Sequence, residues 1–112
     1  MDLTAEAMNG ALVVRVGEAR LDAAIAIQFK DKMREILLQP APSVVLDLAA
    51  VEFLDSSGLG ALVAVMKSMA PGRMLELTGL SANVEKVFRL TRMDSVFSIR
   101  TAAPRGTVRD FG

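Results

Sequence analysis

The chain has 112 residues, 52% of them apolar and 23% charged, with Phe as its only aromatic type; that length fits one domain around one aliphatic core filled out by seven methionines. It contains neither Cys nor His, which removes disulfides, thiolate nucleophiles, imidazole bases and nearly every transition-metal site, so catalysis is not expected and no metal or cofactor is implied. Formal net charge is zero, but residues 1–56 hold five basic and nine acidic groups (−4) and residues 57–112 eight and four (+4), a split that polarises the surface if the sequence halves are also spatial halves.

The first residues, Met1-Asp2-Leu3-Thr4-Ala5-Glu6, are acidic and lack the basic start and apolar stretch of a secretory signal, so a cytoplasmic protein is expected. Segments 3–8 and 11–16 flank Asn9-Gly10, a dipeptide suited to a type I′ turn, and predict a β-hairpin whose second strand, rich in Val, is the better buried. After Gly17 comes a loop over residues 18–21, then Asp22, which can accept a hydrogen bond from the first free helix N–H groups. Ile25, Phe29, Met33, Ile36 and Leu37 give the following helix an apolar stripe, opposite Lys30, Asp31, Arg34 and Glu35, until Pro40 and Pro42 end it.

Residues 43–48 form a short apolar run bounded by Pro42, as expected for a central strand covered on both faces. A second helix carries Leu62, Val63, Met66 and Met69 on one stripe and stops at Pro71-Gly72. Residues 74–78 alternate like a strand, Ser81 is placed to cap a third helix with Val84, Val87, Phe88 and Thr91 on one face, and residues 96–99 read as a last short strand. The order predicts an α/β fold, a mixed β-sheet of about five strands with helices packed on it, over residues 1–101. Residues 102–112 carry Pro104 and Gly106 without an apolar period and are expected to form a flexible tail. The longest apolar run, residues 59–66, is far short of the ~20 residues of a spanning helix.

Function concentrates at Asp55-Ser56-Ser57-Gly58-Leu59-Gly60, where the strand-like run 51–54 gives way to the second helix. A serine at a helix N-terminus is accessible, and the free N–H groups and positive end of the helix tolerate an added anion. Gly58 and Gly60 would keep the surface low enough for another protein to approach Ser57 closely. By local pattern alone, a plain helix cap accounts for these residue types as well as a phosphorylation switch does.

Gly17-Glu18 and Leu21-Asp22, the run Val44-Val45-Leu46-Asp47-Leu48, Val51-Glu52-Phe53-Leu54, the serine motif itself and Met93-Asp94-Ser95-Val96-Phe97 together resemble the STAS domain of bacterial anti-sigma factor antagonists. The resemblance covers residues 3–101, and its ordered set of motifs is more specific than any one of them. It implies a partner-switching module that binds an anti-sigma factor with serine kinase activity, is released when Ser57 is phosphorylated, and is reset by a serine phosphatase. It also implies a partner surface around Asp22, Asp55, Ser56, Ser57, Gly58 and Leu59, on a monomer or weak dimer. Three departures stand out: the stretch from Gly17 to Asp22 is one or two residues longer than the usual pattern, the third helix ends at Thr91-Arg92 where the family often has a glycine, and no closing helix is evident in 102–112.

The same fold without phosphorylation would serve as a scaffold subunit of a signalling or transport assembly, separable from a switch by the size of the particle in which it elutes. Lys86, Arg89 and Arg92 lack interleaved aromatics and read as a solvated helix face, so neither nucleic acid nor a membrane is expected as a direct partner. Neither phosphate-loop glycine pattern occurs, and Ser57 lies outside any Gly-x-Ser-x-Gly elbow.

Overall fold

Asn9 and Gly10 both take left-handed backbone, with φ of 51° and 82°, the conformation a two-residue type I′ turn requires and these two residue types tolerate. The turn joins β1 (Leu3–Met8) to β2 (Ala11–Val16) as antiparallel neighbours. The computed structural model describes residues 1–100, so the expected flexible tail, 102–112, lies outside the described residues. The chain continues through β3 (Arg20–Leu21), α1 (Ala26–Ile36), β4 (Ser43–Asp47), β5 (Phe53–Leu54), α2 (Ser56–Ser68), β6 (Met74–Thr78), α3 (Ala82–Leu90), a single 3-10 turn at Met93–Ser95, and β7 (Ser98–Arg100).

The main sheet has the order β1-β2-β4-β6-β7, with β2, β4, β6 and β7 all parallel. Each crossover steps the sheet the same way, and right-handed crossovers that do so lay their helices on one face. One core results: Leu12, Val14, Val16, Val44, Leu46 and Leu77 from the strands meet Phe29 and Met33 of α1, Leu62 and Val65 of α2, and Val84 and Phe88 of α3. The alternation of strands explains the selection, since every second residue of β2 and β4 points to the helices. The intervening residues Val13 and Val45, register partners of one another, are also buried, but outside this cluster. β4 occupies the centre, as its apolar run predicts.

Several boundaries depart from expectation. α1 begins at Ala26, not directly after Asp22, and its N-cap position, Ile25, makes no side-chain cap. The Asp22 carboxylate is spent one turn earlier, its Oδ1 accepting from the Ala24 N–H at 3.1 Å, while its backbone carbonyl accepts from Ile25 and Ala26. The expected loop over 18–21 contains β3, which pairs with β5 in a separate two-stranded sheet. The last strand starts at Ser98, because the Val96 and Phe97 N–H groups both donate to the Met93 carbonyl in the preceding turn; Phe97 packs edge-to-face on Phe88, centroids 5.6 Å apart. On α2 the buried positions are Gly58, Ala61, Leu62 and Val65, with Val63, Met66 and Met69 at the margin of the core. No helix of the described residues is long and apolar enough to cross a membrane.

Candidate functional site

The site grows from the two shortest strands. β3 and β5 pair parallel with Arg20 opposite Phe53 and Leu21 opposite Leu54. Leu21 and Leu54 are buried, so the alternation of side chains sends Arg20 and Phe53 outward together. Their pairing delivers the chain to Asp55, whose extended backbone (φ −103°, ψ −175°) is that of an N-cap residue.

Asp55 fastens two segments at once. Its Oδ1 accepts from the Gly58 N–H at 2.9 Å, satisfying one of the helix's free donors, and its Oδ2 accepts a longer bond, 3.4 Å, from Ala23 in the turn before α1. Its own N–H donates to the Leu21 carbonyl at 3.4 Å, and its carbonyl accepts from Leu59 at 2.9 Å. The cap expected here is therefore real, and Asp55 supplies it. Ser56 and Ser57, first and second residues of α2, are left free of that duty: both are exposed, and neither hydroxyl is hydrogen-bonded within the described residues.

Gly58 has a reason different from the one its position suggests. A Cβ there would fall on the Leu21 carbonyl oxygen, well inside contact distance, and 2.9 Å from Leu54 Cδ1. The residue is buried, and its missing side chain lets α2 lie against β3 and β5, so it does not serve to lower the surface for a visitor. Gly60 does face open space, with nothing within 4 Å of an added Cβ. Leu59 is half-buried against the core.

The turn before α1 is brought to the serines by the Ala23–Asp55 bond, which puts Asp22 in this neighbourhood despite the longer stretch from Gly17. Asp22 itself pairs with Arg20, Nε to Oδ2 at 3.2 Å. Arg20 in turn lies over the Phe53 ring, its guanidinium carbon 4.1 Å from the centroid. Neither Arg20 nor Phe53 was singled out by sequence reasoning. A two-residue strand has no period to detect, and only the β3–β5 register shows that residues 33 apart in the chain share a face.

The assembled site offers accessible, unengaged hydroxyls on a helix start capped by Asp55, with Asp22 in the adjoining turn tied on by the Ala23–Asp55 bond and Arg20 paired to it, which suits a surface to be modified and bound. Comparison with known proteins concerns the fold and the family. A family model for the STAS domain matches residues 2–105, nearly the whole chain. An anti-sigma factor antagonist from Mycobacterium paratuberculosis is 26% identical, with a TM-score of 0.77 over 88% of this chain and 85% of that one. An anti-sigma-factor antagonist (STAS) domain protein from Planctomyces limnophilus superposes with a TM-score of 0.82 at 21% identity, covering 92% of each chain. The Bacillus cell fate determinant SpoIIAA in its phosphorylated form has a TM-score of 0.63 at 22% identity, over 89% of this chain and 92% of the other. The last two likenesses concern the fold.

Proposed function

The chain belongs to the STAS domain family, and from that membership we infer that it is an anti-sigma factor antagonist, a partner-switching regulator controlled at Ser57. Unphosphorylated, it binds an anti-sigma factor that is also a serine kinase; phosphorylated at Ser57, it lets go, and a serine phosphatase restores it. The likeness to an anti-sigma factor antagonist at 26% identity supports the partner class. The observation that carries the switch is the freedom of Ser57: its hydroxyl is exposed and, within the described residues, unbonded on the first turn of α2, while the capping that would otherwise occupy it is done by Asp55.

A phosphate there adds about −1.5 to −2 charges and three acceptor oxygens. The N-terminus of α2 accommodates it, since the N–H groups of Ser56 and Ser57 precede the first intrahelical bonds. A partner does not: Asp22 and Asp55 already border the serine, and an acidic or apolar contacting surface meets concentrated negative charge at a cost on the order of several kcal/mol. This chain is the substrate in that exchange; the kinase brings the nucleotide, and the setting is the cytoplasm. Asp22, Asp55, Ser56, Ser57 and Leu59 form the contact surface, with Gly58 acting from beneath.

The decisive experiment incubates the protein with ATP and a serine-kinase anti-sigma factor from the same genome, then maps phosphate by mass spectrometry. Phosphate on Ser57 is expected, and its absence in Ser57→Ala. Phosphate elsewhere, or none, would sink the assignment. An elution volume fixed by a large homogeneous assembly would favour a scaffold over a switch.

A further inference from the structure

We propose that Arg20 is the residue through which a phosphate on Ser57 reshapes the surrounding surface, a proposal that rests on Ser57 being the modified serine. The segments that meet at the site, residues 18–24 and 52–60, contain four acidic side chains, Glu18, Asp22, Glu52 and Asp55, and a single base, Arg20. That base is held beside the switch by the residue that follows it. The carbonyl of its neighbour Leu21 accepts from the Asp55 N–H and lies against Gly58, so β3 touches the chain on both sides of Ser57.

In the unmodified chain Arg20 organises two groups, its guanidinium 4.1 Å above the Phe53 ring and its Nε 3.2 Å from Asp22 Oδ2. Both contacts are of the weak, solvent-screened kind, since the Arg20 side chain is 62% exposed. A phosphate dianion carries more charge than one carboxylate and presents paired oxygens that fit the guanidinium fork, so it wins the competition for Arg20. Moving to the phosphate, Arg20 leaves Asp22 without its counter-charge and uncovers Phe53, already 41% exposed. Phosphorylation then alters the surface at Arg20, Asp22 and Phe53 as well as at Ser57, with every strand and helix in place. A partner reading this surface senses a rearranged aromatic and carboxylate in addition to new charge.

The test uses protein carrying phosphoserine at position 57 installed by genetic-code expansion, so that no kinase takes part. In NMR spectra the Arg20 Cδ protons, shielded by the Phe53 ring, are expected to move downfield on phosphorylation. A phosphorus titration should give a second phosphate pKa lower by about 0.2–0.7 pH unit in the unsubstituted chain than in Arg20→Gln, the range of an exposed ion pair. The amide spectrum of Arg20→Gln checks that the variant is folded. Unchanged Cδ shifts, or the same phosphate pKa in both proteins, would overturn the proposal and leave the Ser57 assignment intact. Kinase-delivered phosphate on Ser56 would remove that assignment without altering these spectra.

Discussion

Two glycines two residues apart on α2 face opposite environments, and substitution should separate them cleanly. Gly58→Ala drives a methyl into the Leu21 carbonyl and towards Leu54 Cδ1, backbone on one side and a buried side chain on the other, so the helix must shift. Overpacking of that kind costs about 1–3 kcal/mol, and urea denaturation should show a loss in the upper part of that range. Gly60→Ala meets nothing within 4 Å and exchanges the poorest ordinary helix former for the best, so it should stabilise by roughly 0.5–1 kcal/mol. The opposite logic applies after α3. Arg92 holds left-handed backbone (φ 61°, ψ 20°) in the place where the family often has glycine. Its conformation is kept by the backbone around it: its own N–H donates to Arg89, and the Thr91 N–H to Val87. Arg92→Gly removes a left-handed penalty of about 1–2 kcal/mol, partly offset by the greater freedom glycine has when unfolded. Thermal melting should therefore show a small gain, and a lower melting temperature would mean that the exposed arginine stabilises the fold by some contact of its own.

At the scale of elements, single side chains decide where helices end and how they are tied together. Arg73, just before β6, donates Nε to the Ala41 carbonyl at 2.8 Å, Nη1 to Leu37 at 2.7 Å and Nη2 to Gln39 at 2.9 Å. It thereby collects carbonyls that the end of α1 and the following loop leave without intrahelical partners. Truncation to alanine leaves three acceptors to solvent; one charge-assisted bond is worth about 1.5–3 kcal/mol, and the three are not additive, so a loss of roughly 2–3 kcal/mol in chemical denaturation is expected. Lysine, with a point charge and no fork, should recover less than half. This clamp was invisible in the sequence, because its partners are backbone atoms 32 to 36 residues away. Helix α1 shows a related limit. Its stripe through Phe29 and Met33 was legible because both are buried on one face, but its start was not, since Asp22 bonds to Ala24 and Arg20 and leaves the helix to begin uncapped at Ala26. Asp55 and Ser81, in contrast, cap α2 and α3 in the ordinary local way, and local geometry is what a sequence reveals.

Across the whole molecule, strand order turns sequence into spatial asymmetry: β1 and β2, from the acidic first half, build one edge of the sheet, and β6 and β7, from the basic second half, the other. The serine motif lies between them, at the junction of β5 and α2 in the middle of the chain, anchored on both sides by buried residues, Leu54 before it and Ala61 and Leu62 after it. A charge added to Ser57 consequently has no loose segment to unfold. The free donors of the first helical turn favour it by about 0.3–1 kcal/mol, and repulsion from Asp55 and Asp22, both partly exposed, offsets a similar amount. Phosphorylated and unmodified protein should therefore melt within about 5 °C of one another, given that a domain of this size shifts by about 4–8 °C per kcal/mol. Binding to the cognate anti-sigma factor should fall 100-fold or more, because like charges brought together at an interface cost several kcal/mol and each 1.4 kcal/mol is a factor of ten. Calorimetric melting of both forms, paired with titration against that partner, reads the two quantities on the same samples. A large drop in melting temperature alongside lost affinity would mean that the phosphate acts by disrupting α2, whereas stability unchanged with affinity lost places its effect at the surface that Asp55 holds open around Ser57.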